Sequence, residues 1–382
     1  MNLLKLRAWV LVFVGLMAAC LTSLAQSNGV VVGADIPGVG RVSADQQAKL
    51  LNSLHDSGVR YIRSWIGTDA SYDFLKKAYA LGIKADLTLY IMSPPSAPKR
   101  PNMPDMPWMF SGAPLSAADV DLTKSTFQTQ LKKLEDMGIV LAAFELGNEQ
   151  NNPSFNGEFT LYPKDGCPKC KTMGLDDLKR DPEGQKIAAG LRNYVKLLAA
   201  VKDVRDHSRL NQHTPVLLGG LADQGAEGPT PGRTNRVTIN ATIDYMRQYG
   251  LDDVVDAYGI HTYPWANGPG QPAAAASRRE RLEKYALSEC RPEGQGKPCW
   301  ITEWGFENKD ESCPLNDTAR ETLVREFMAD LRPYVKQTRV VGLLYYVWQS
   351  DFGAKHEEPH SICRCGSLTA SGKLAVDASL LK

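Results

Sequence analysis

Val30-Val31-Val32-Gly33-Ala34-Asp35-Ile36-Pro37-Gly38 is the first stretch of the chain that reads as a strand followed by a turn, and it separates two folds. Strands alternating with helices suit a doubly wound sheet and a closed barrel equally well. A doubly wound dinucleotide site needs G-x-G-x-x-G after its first strand, with a helix opening behind it. Here the glycines have the wrong spacing, and Pro37 stands where that helix would begin. The stretch therefore points away from the doubly wound sheet.

The rhythm that begins there repeats along the chain. Short β-branched or apolar runs occur at Val30–Ala34, Tyr61–Trp65, Ala85–Tyr90, Leu141–Leu146, Val216–Gly220, Ala257–His261, Trp300–Glu303 and Val341–Trp348. Helical periodicity predicts Ala44–Asp56, Tyr72–Ala80, Ala117–Met137, Gln185–His207, Asn240–Tyr249, Arg278–Ser288 and Thr318–Lys336 between or after them. Ser43 with Gln46 makes a capping box for the first helix. Eight strands in this alternation predict an α/β fold, a (β/α)8 TIM barrel. Long stretches follow the third strand (Met92–Pro114), the fourth (Gln150–Pro182), the fifth (Ala222–Arg236) and the eighth (Asp351–Gly366). In a barrel these βα loops crowd the C-terminal face, where ligands bind.

Bulk composition narrows the partners. The chain has 382 residues, 43% hydrophobic and 23% charged, and 44 basic residues face 43 acidic ones for a formal net charge of +1. That balance, without a basic run interleaved with aromatics, argues against nucleic acid and favours a neutral ligand. Lys5 and Arg7 precede an apolar run, Ala8–Ala19, too short to span a bilayer, which reads as an export signal over residues 1–25. Two ends to it stay open: cleavage after Ser23-Leu24-Ala25, or a lipobox-like Met17-Ala18-Ala19-Cys20 with lipid on Cys20. Residues 26–382 are then expected to form one barrel, monomeric, secreted or periplasmic or held at an outer surface, with no membrane span.

Cysteine usage agrees with export. Beyond Ala25 there are seven: Cys167, Cys170, Cys290, Cys299, Cys313, Cys363 and Cys365. Cys290 and Cys299 bracket a Gly/Pro-rich loop and predict a disulfide. The odd number leaves one thiol outside such pairs or paired between chains. A zinc site from Cys167, Cys170, Cys363 and Cys365, with His356 and His360 nearby, is the competing reading.

Two strand ends carry acids suited to paired carboxylate chemistry. Phe144-Glu145-Leu146-Gly147-Asn148-Glu149 ends the fourth strand, and Trp300-Ile301-Thr302-Glu303-Trp304-Gly305 ends the seventh. Asn-Glu at the end of strand four with a Glu ending strand seven resembles clan A of the glycoside hydrolases, retaining (β/α)8 enzymes. The ELGNE run resembles families 51 and 79, and ITEWG is closer to families 5 and 39. The resemblance implies a β-glycosidic oligo- or polysaccharide substrate, no metal and no cofactor. It implies Glu149 as general acid/base, Glu303 as nucleophile, and Asn148 as donor to the substrate 2-hydroxyl. It further implies Arg63 holding the nucleophile ionised, His261 and Tyr263 beside it, and Trp348 as the aromatic floor under the attacked sugar.

Elementary chemistry asks the same of these residues. Glu303 must stay charged, which an arginine and a tyrosine hydroxyl favour. Glu149 must begin protonated, and the charge of Glu303 favours that. Carboxyl groups about 5–5.5 Å apart are expected for retention. Glu145, the nearest rival to Glu149 and on the same strand parity, lies deeper and reads as a structural acid in an internal ion pair. Trp65, Trp108, Trp265 and Trp304 are further candidates for sugar-facing walls, and Glu307, Asp310 and Glu311 read as a solvated loop. Two other functions compete: a non-catalytic carbohydrate-binding barrel, and a metal-dependent hydrolase using His261 with acidic ligands. Neither an H-x-H after strand one nor an H-E-x-x-H supports the second.

Overall fold

In a computed structural model, residues 29–98, 100, 112–162, 166–264, 274–349 and 358–382 are described. The export segment with Cys20, together with Trp108, Trp265 and His356, lies outside the described residues. Eight parallel strands close a barrel: β1 Val31–Asp35, β2 Tyr61–Trp65, β3 Lys84–Leu89, β4 Ala143–Leu146, β5 Val216–Ala222, β6 Ala257–Thr262, β7 Cys299–Trp304 and β8 Val340–Tyr345. Each pairs with the next, and β8 returns to β1 with Val31 opposite Gly342. The (β/α)8 barrel read from the sequence is the fold.

Helices surround it: α1 Ala44–Asp56, α2 Asp69–Ala80, α3 Val120–Asp136, α4 Pro182–Asp206, α5 Ile239–Arg247, α6 Ala275–Arg281, α7 Thr318–Lys336 and α8 Ala370–Ala375. Side-chain caps set several starts. The Ser43/Gln46 capping box opens α1, Asp119 caps α3, and Asp181 caps α4 with Pro182 in its first turn. Caps override the apolar period, so α3 starts after Ala117 and α4 before Gln185.

Inside the barrel the residues form layers, as alternate side chains of each strand point inward. The bottom is apolar: Ala143, Leu217, Ala257, Trp300 and Leu344 cluster there with Val31, Tyr61 and Val341. Gly342 leaves room for the Trp300 ring, since a Cβ on it would stand 2.2 Å from Trp300 Cδ2. The layer above is polar. Arg63 of β2, Asp86 of β3, Glu145 of β4 and Thr302 of β7 are all buried. Glu145 is the internal structural acid expected, 2.5 Å from Arg63 Nε and accepting from Thr302 Oγ1 at 2.9 Å.

The βα loops build structure of their own. Lys171–Met173, after β4, pairs with Gly228–Pro229 and Arg236–Val237, after β5, as a small three-stranded sheet. Strands this short carry no periodicity, and the sequence reading missed them. Disulfides join Cys167 to Cys170, Cys290 to Cys299 and Cys313 to Cys365. The predicted 290–299 bridge is present. The four-thiol zinc reading is corrected: two of its cysteines are bonded to each other, Cys365 is bonded to Cys313, and Cys363 stands outside the three disulfides.

Candidate active site

The C-terminal ends of the strands open into a cavity of about 1440 Å³ lined by Asn148, Glu149, Tyr263 and Glu303, among others. Three local devices aim these side chains. The first is the turn after β4. Gly147 has φ +72° and Glu149 φ +46°. A Cβ on Gly147 would also come within 2.8 Å of Ile91 Cδ1 and Gln150 Nε2, so glycine is required there for angle and for space. A left-handed glutamate costs about 1–3 kcal/mol and persists only where its surroundings fix it. Glu149 N–H donates to Gly220 O at 2.8 Å, and Asn152 N–H donates to Glu149 O at 3.0 Å.

The second device is a bulge in β7. Strict alternation from Trp300 and Thr302 would turn Trp304 inward and Glu303 outward. The registers of β7 with β6 and β8 shift between Ile301 and Trp304, and the faces exchange. Glu303 enters the cavity, while Trp304 stacks on Phe327 of α7 with ring centroids 4.9 Å apart. Bulges beside active sites re-aim side chains in this way.

The third device is Arg63, only 1% exposed. Its Nε donates to Glu145 Oε2 at 2.5 Å, Nη1 to Asp35 Oδ2 at 2.8 Å and to Glu303 Oε1 at 2.7 Å, and Nη2 to Asn148 Oδ1 at 2.7 Å. Four of its five N–H groups are thereby used. Holding the Asn148 oxygen turns that amide so that its NH2 remains the donor. The Tyr263 hydroxyl donates to Glu303 Oε2 at 2.7 Å. Burial alone would raise the Glu303 carboxyl. The positive charges of His261 and Arg63, with hydrogen bonds from Tyr263 and Arg63, outweigh it and hold Glu303 below its ordinary range. Asp35 moves the other way: burial, opposed by Arg63 and assisted by the charges of Glu303 and Glu145, pushes it to about 7.

His261 sits between the two glutamates. Its Nδ1 is 2.9 Å from Glu149 Oε1 and 3.5 Å from Glu303 Oε2. Burial would lower its pKa, but the charge of Glu303 and its bond with Glu149 raise it. Asn152 Nδ2 donates to the other Glu149 oxygen at 2.5 Å. The ring occupies the space left by Gly220, where a Cβ would stand 2.0 Å from His261 Nε2. One oxygen of Glu149, one of Glu303 and a ring nitrogen of His261 lie within 4.8 Å of one another. As a cation site this set is poor, because both Glu303 oxygens already accept from Arg63 and Tyr263 and a metal would face the guanidinium.

Of the sequence-predicted residues, the cavity brings together Arg63, Asn148, Glu149, Tyr263 and Glu303, with His261 buried beneath. Trp348 requires a correction. Its side chain is wholly buried and does not line the cavity. Strand pairing ends at Tyr345, and a returning segment bonds the backbone beyond it, with Ile362 N–H on Val347 O and Cys363 N–H on Trp348 O. Tyr346 takes the cavity position instead, edge-on to Tyr263 at 6.1 Å. Trp304 is likewise core and no cavity wall; Trp65 does line the cavity. Sequence reasoning missed Asp35, Asn152, Gly220 and Tyr346. Asn152, three residues after Glu149, carried a spacing that could have found it.

No family model matches the chain, and no curated protein matches it. Solved structures do. A family 39 glycoside hydrolase from the gut symbiont Bacteroides cellulosilyticus WH2 is similar at 16% identity and a TM-score of 0.52, over 93% of this chain and 65% of that one. An exo-β-1,4-mannosidase from Opitutaceae bacterium strain TAV5 is similar at 13% identity and a TM-score of 0.53, over 92% and 59%. The endo-1,4-β-mannanase from Rhizomucor miehei gives 11% identity and a TM-score of 0.54, over 93% and 96%. This chain therefore spans 65% and 59% of the length of the first two and nearly all of the third. At such identities the likeness is one of fold. What the chain shares with these structures is the (β/α)8 barrel.

Proposed function

We propose that the chain is a retaining glycoside hydrolase, with Glu149 as general acid/base and Glu303 as nucleophile, acting on a β-linked oligo- or polysaccharide. The observation that carries the reading is the short separation of the two carboxylates, with an oxygen of each within 4.8 Å. Retaining enzymes need about 5–5.5 Å between the carboxyl groups, whereas inverting enzymes need room for a water and about 6.5–9.5 Å. The hold on Glu303 by Arg63 and Tyr263 supports an enzyme over a binding barrel, since binding alone has no need of an ionised carboxylate.

The steps follow from the contacts. Glu149 and His261 share a hydrogen across their 2.9 Å contact. With a glycoside in place, that proton passes from Glu149 to the leaving oxygen as the glycosidic bond breaks. Glu303 attacks the anomeric carbon from the opposite face and becomes an ester. Asn148, turned by Arg63, donates to the 2-hydroxyl of the sugar as positive charge develops. Water then gives its proton to Glu149 and its oxygen to the anomeric carbon, which frees Glu303 with configuration retained.

Export is part of the proposal: residues 1–25 are removed, or trimmed to a lipidated Cys20, and the barrel works outside the cytoplasm. Three disulfides support this. Among the described residues no helix is long and apolar enough to cross a membrane. The test is NMR of the first-formed sugar from aryl β-glycosides of glucose, mannose and xylose and from the matching oligosaccharides. A β-anomer is expected first, with Glu303→Gln inactive. An α-anomer first, or no turnover by folded protein across the panel, overturns the reading.

A further inference from the structure

Among the described residues only two large hydrophobic side chains are well exposed, Tyr90 at 49% and Tyr249 at 46%. Their settings differ. Tyr249 lies outside the cavity, beside Tyr245 and Arg192. Tyr90 follows β3, lines the cavity, and leans on Trp65 at the end of β2, with ring centroids 5.0 Å apart at 40°. Exposing an aromatic ring inside a cleft forgoes burial worth about 25 cal/mol per Å², so the pair is costly unless something covers it.

The cavity wall supplies the context. Beyond the glutamates, much of it comes from the loops after β1, β2 and β3: Gly38, Gly40, Gly67, Thr68 and Ile91 lie along it. These side chains are small, apolar or hydroxylic, and Arg41 is the one charged group they flank on that side among the described residues. The volume, about 1440 Å³, holds several hexose units. Arg63 ties the two regions together. Its Nη1 is 2.7 Å from Glu303, and its Cζ is 5.9 Å from the centroid of Trp65. The aromatic pair is therefore next to the place where the attacked sugar would sit.

We infer that Trp65 and Tyr90 form a second sugar subsite, a platform for a neutral pyranose or furanose unit adjoining the one held between Glu149 and Glu303. This rests on the proposed function for its catalytic readout but not for its binding readout. A sugar presents one face of axial C–H groups, which packs on an aromatic ring by dispersion and C–H/π contact. A cleft so lined selects a substrate of at least two neutral sugars over a monoglycoside.

The test uses 4-nitrophenyl β-glycosides of cellobiose, mannobiose and xylobiose beside the corresponding monoglycosides. In the unaltered protein the second sugar should raise kcat/KM. Tyr90→Ala and Trp65→Phe should reduce that advantage about five- to tenfold, chiefly through KM, and Tyr249→Ala should leave it intact. Equal loss on mono- and bioside, or equal loss in Tyr249→Ala, overturns the platform. Should no glycoside turn over, quenching of tryptophan fluorescence by cellotriose, mannotriose and xylotriose reads binding alone. Saturable quenching that Tyr90→Ala weakens upholds the platform while the catalytic reading fails, and no saturable binding of any of the three overturns it.

Discussion

Arg63 Nη1 stands 2.7 Å from Glu303 Oε1, and the same nitrogen, through its other hydrogen, holds Asp35 at 2.8 Å. Two acids, Asp35 buried and Glu303 at the cavity, thus depend on one atom of one cation. Glu145 and Asp86 face the same guanidinium, so the acids outnumber the charge that could balance them. The geometry sorts them. Glu145 is fully engaged by Arg63, Thr302 and the Gly220 N–H. Glu303 has donors on both oxygens. Asp35 Oδ1 and both oxygens of Asp86 are buried without a hydrogen-bond partner. A buried carboxylate lacking donors is costly, and the neutral acid is the cheaper form. Burial, then the charge of Glu145, drives Asp86 upward as well.

The sign of the pH dependence follows. Asp35 rises from 3.8 to about 7 on folding, so between those values the folded state holds a proton that the unfolded state has released. Its contribution is fully present below about 3.8 and is lost as pH rises through about 7. Asp35→Asn should therefore gain stability relative to the unaltered protein on going from pH 4 to pH 8, by about 1–4 kcal/mol. Urea unfolding at both values checks it. An equal difference at the two pH values would refute the neutral Asp35.

Glu303 has the opposite sign. Its lowered pKa means it remains the charged nucleophile below its ordinary 4.5. The acid limb of kcat/KM for an activated aryl glycoside should fall below that value and move upward in Tyr263→Phe, which removes one donor. Rate profiles between pH 3 and 6 are the measurement, and an unmoved limb would tell against the Tyr263 hydroxyl as a support.

Arg63→Lys should fail despite keeping the charge. One ammonium cannot serve four acceptors that the guanidinium reaches at 2.5–2.8 Å. Breaking a buried ion pair costs about 3–5 kcal/mol, and losing an oriented charge donor costs about a hundredfold or more in kcat. Thermal unfolding with kinetics would reveal both losses together.

Gly220→Ala tests the seat of His261. The added methyl would stand 2.0 Å from His261 Nε2 and 2.7 Å from Thr302 Oγ1, so the ring must shift and its contact with Glu149 must lengthen. Overpacking of this kind costs about 1–3 kcal/mol. A kcat loss larger than the stability loss explains, with KM little changed, is expected; a variant with native kinetics would remove His261 from the site.

How legible all this was depends on which physical signal each part carries. Eight strands are legible because apolar runs bounded by loops mark each barrel strand, and Arg63, Asn148 and Glu149 because they stand in or just beyond a strand within short polar motifs. Trp304 was misread for the reason that Glu303 works: the bulge reverses the alternation, and no residue in Trp300-Ile301-Thr302-Glu303-Trp304 announces it. The burial of Trp348 is not legible because Tyr345, Tyr346, Val347 and Trp348 continue as a plausible strand, while the segment that bonds its backbone returns from residues 362–363. The Cys313–Cys365 bridge joins residues 52 apart, a pairing that spacing alone leaves among many. Asp35 is not legible because its role comes from sharing Arg63 Nη1 with Glu303, a residue distant in sequence and two strands away around the barrel.

The most direct measurement of the central claim is to trap the ester. Incubation with activated 2-deoxy-2-fluoro β-glycosides of glucose, mannose and xylose, followed by proteolysis and peptide mass spectrometry, should find the fluorosugar on Glu303, and Glu303→Gln should take no label. Label on another carboxylate, or the same label in Glu303→Gln, would contradict the account.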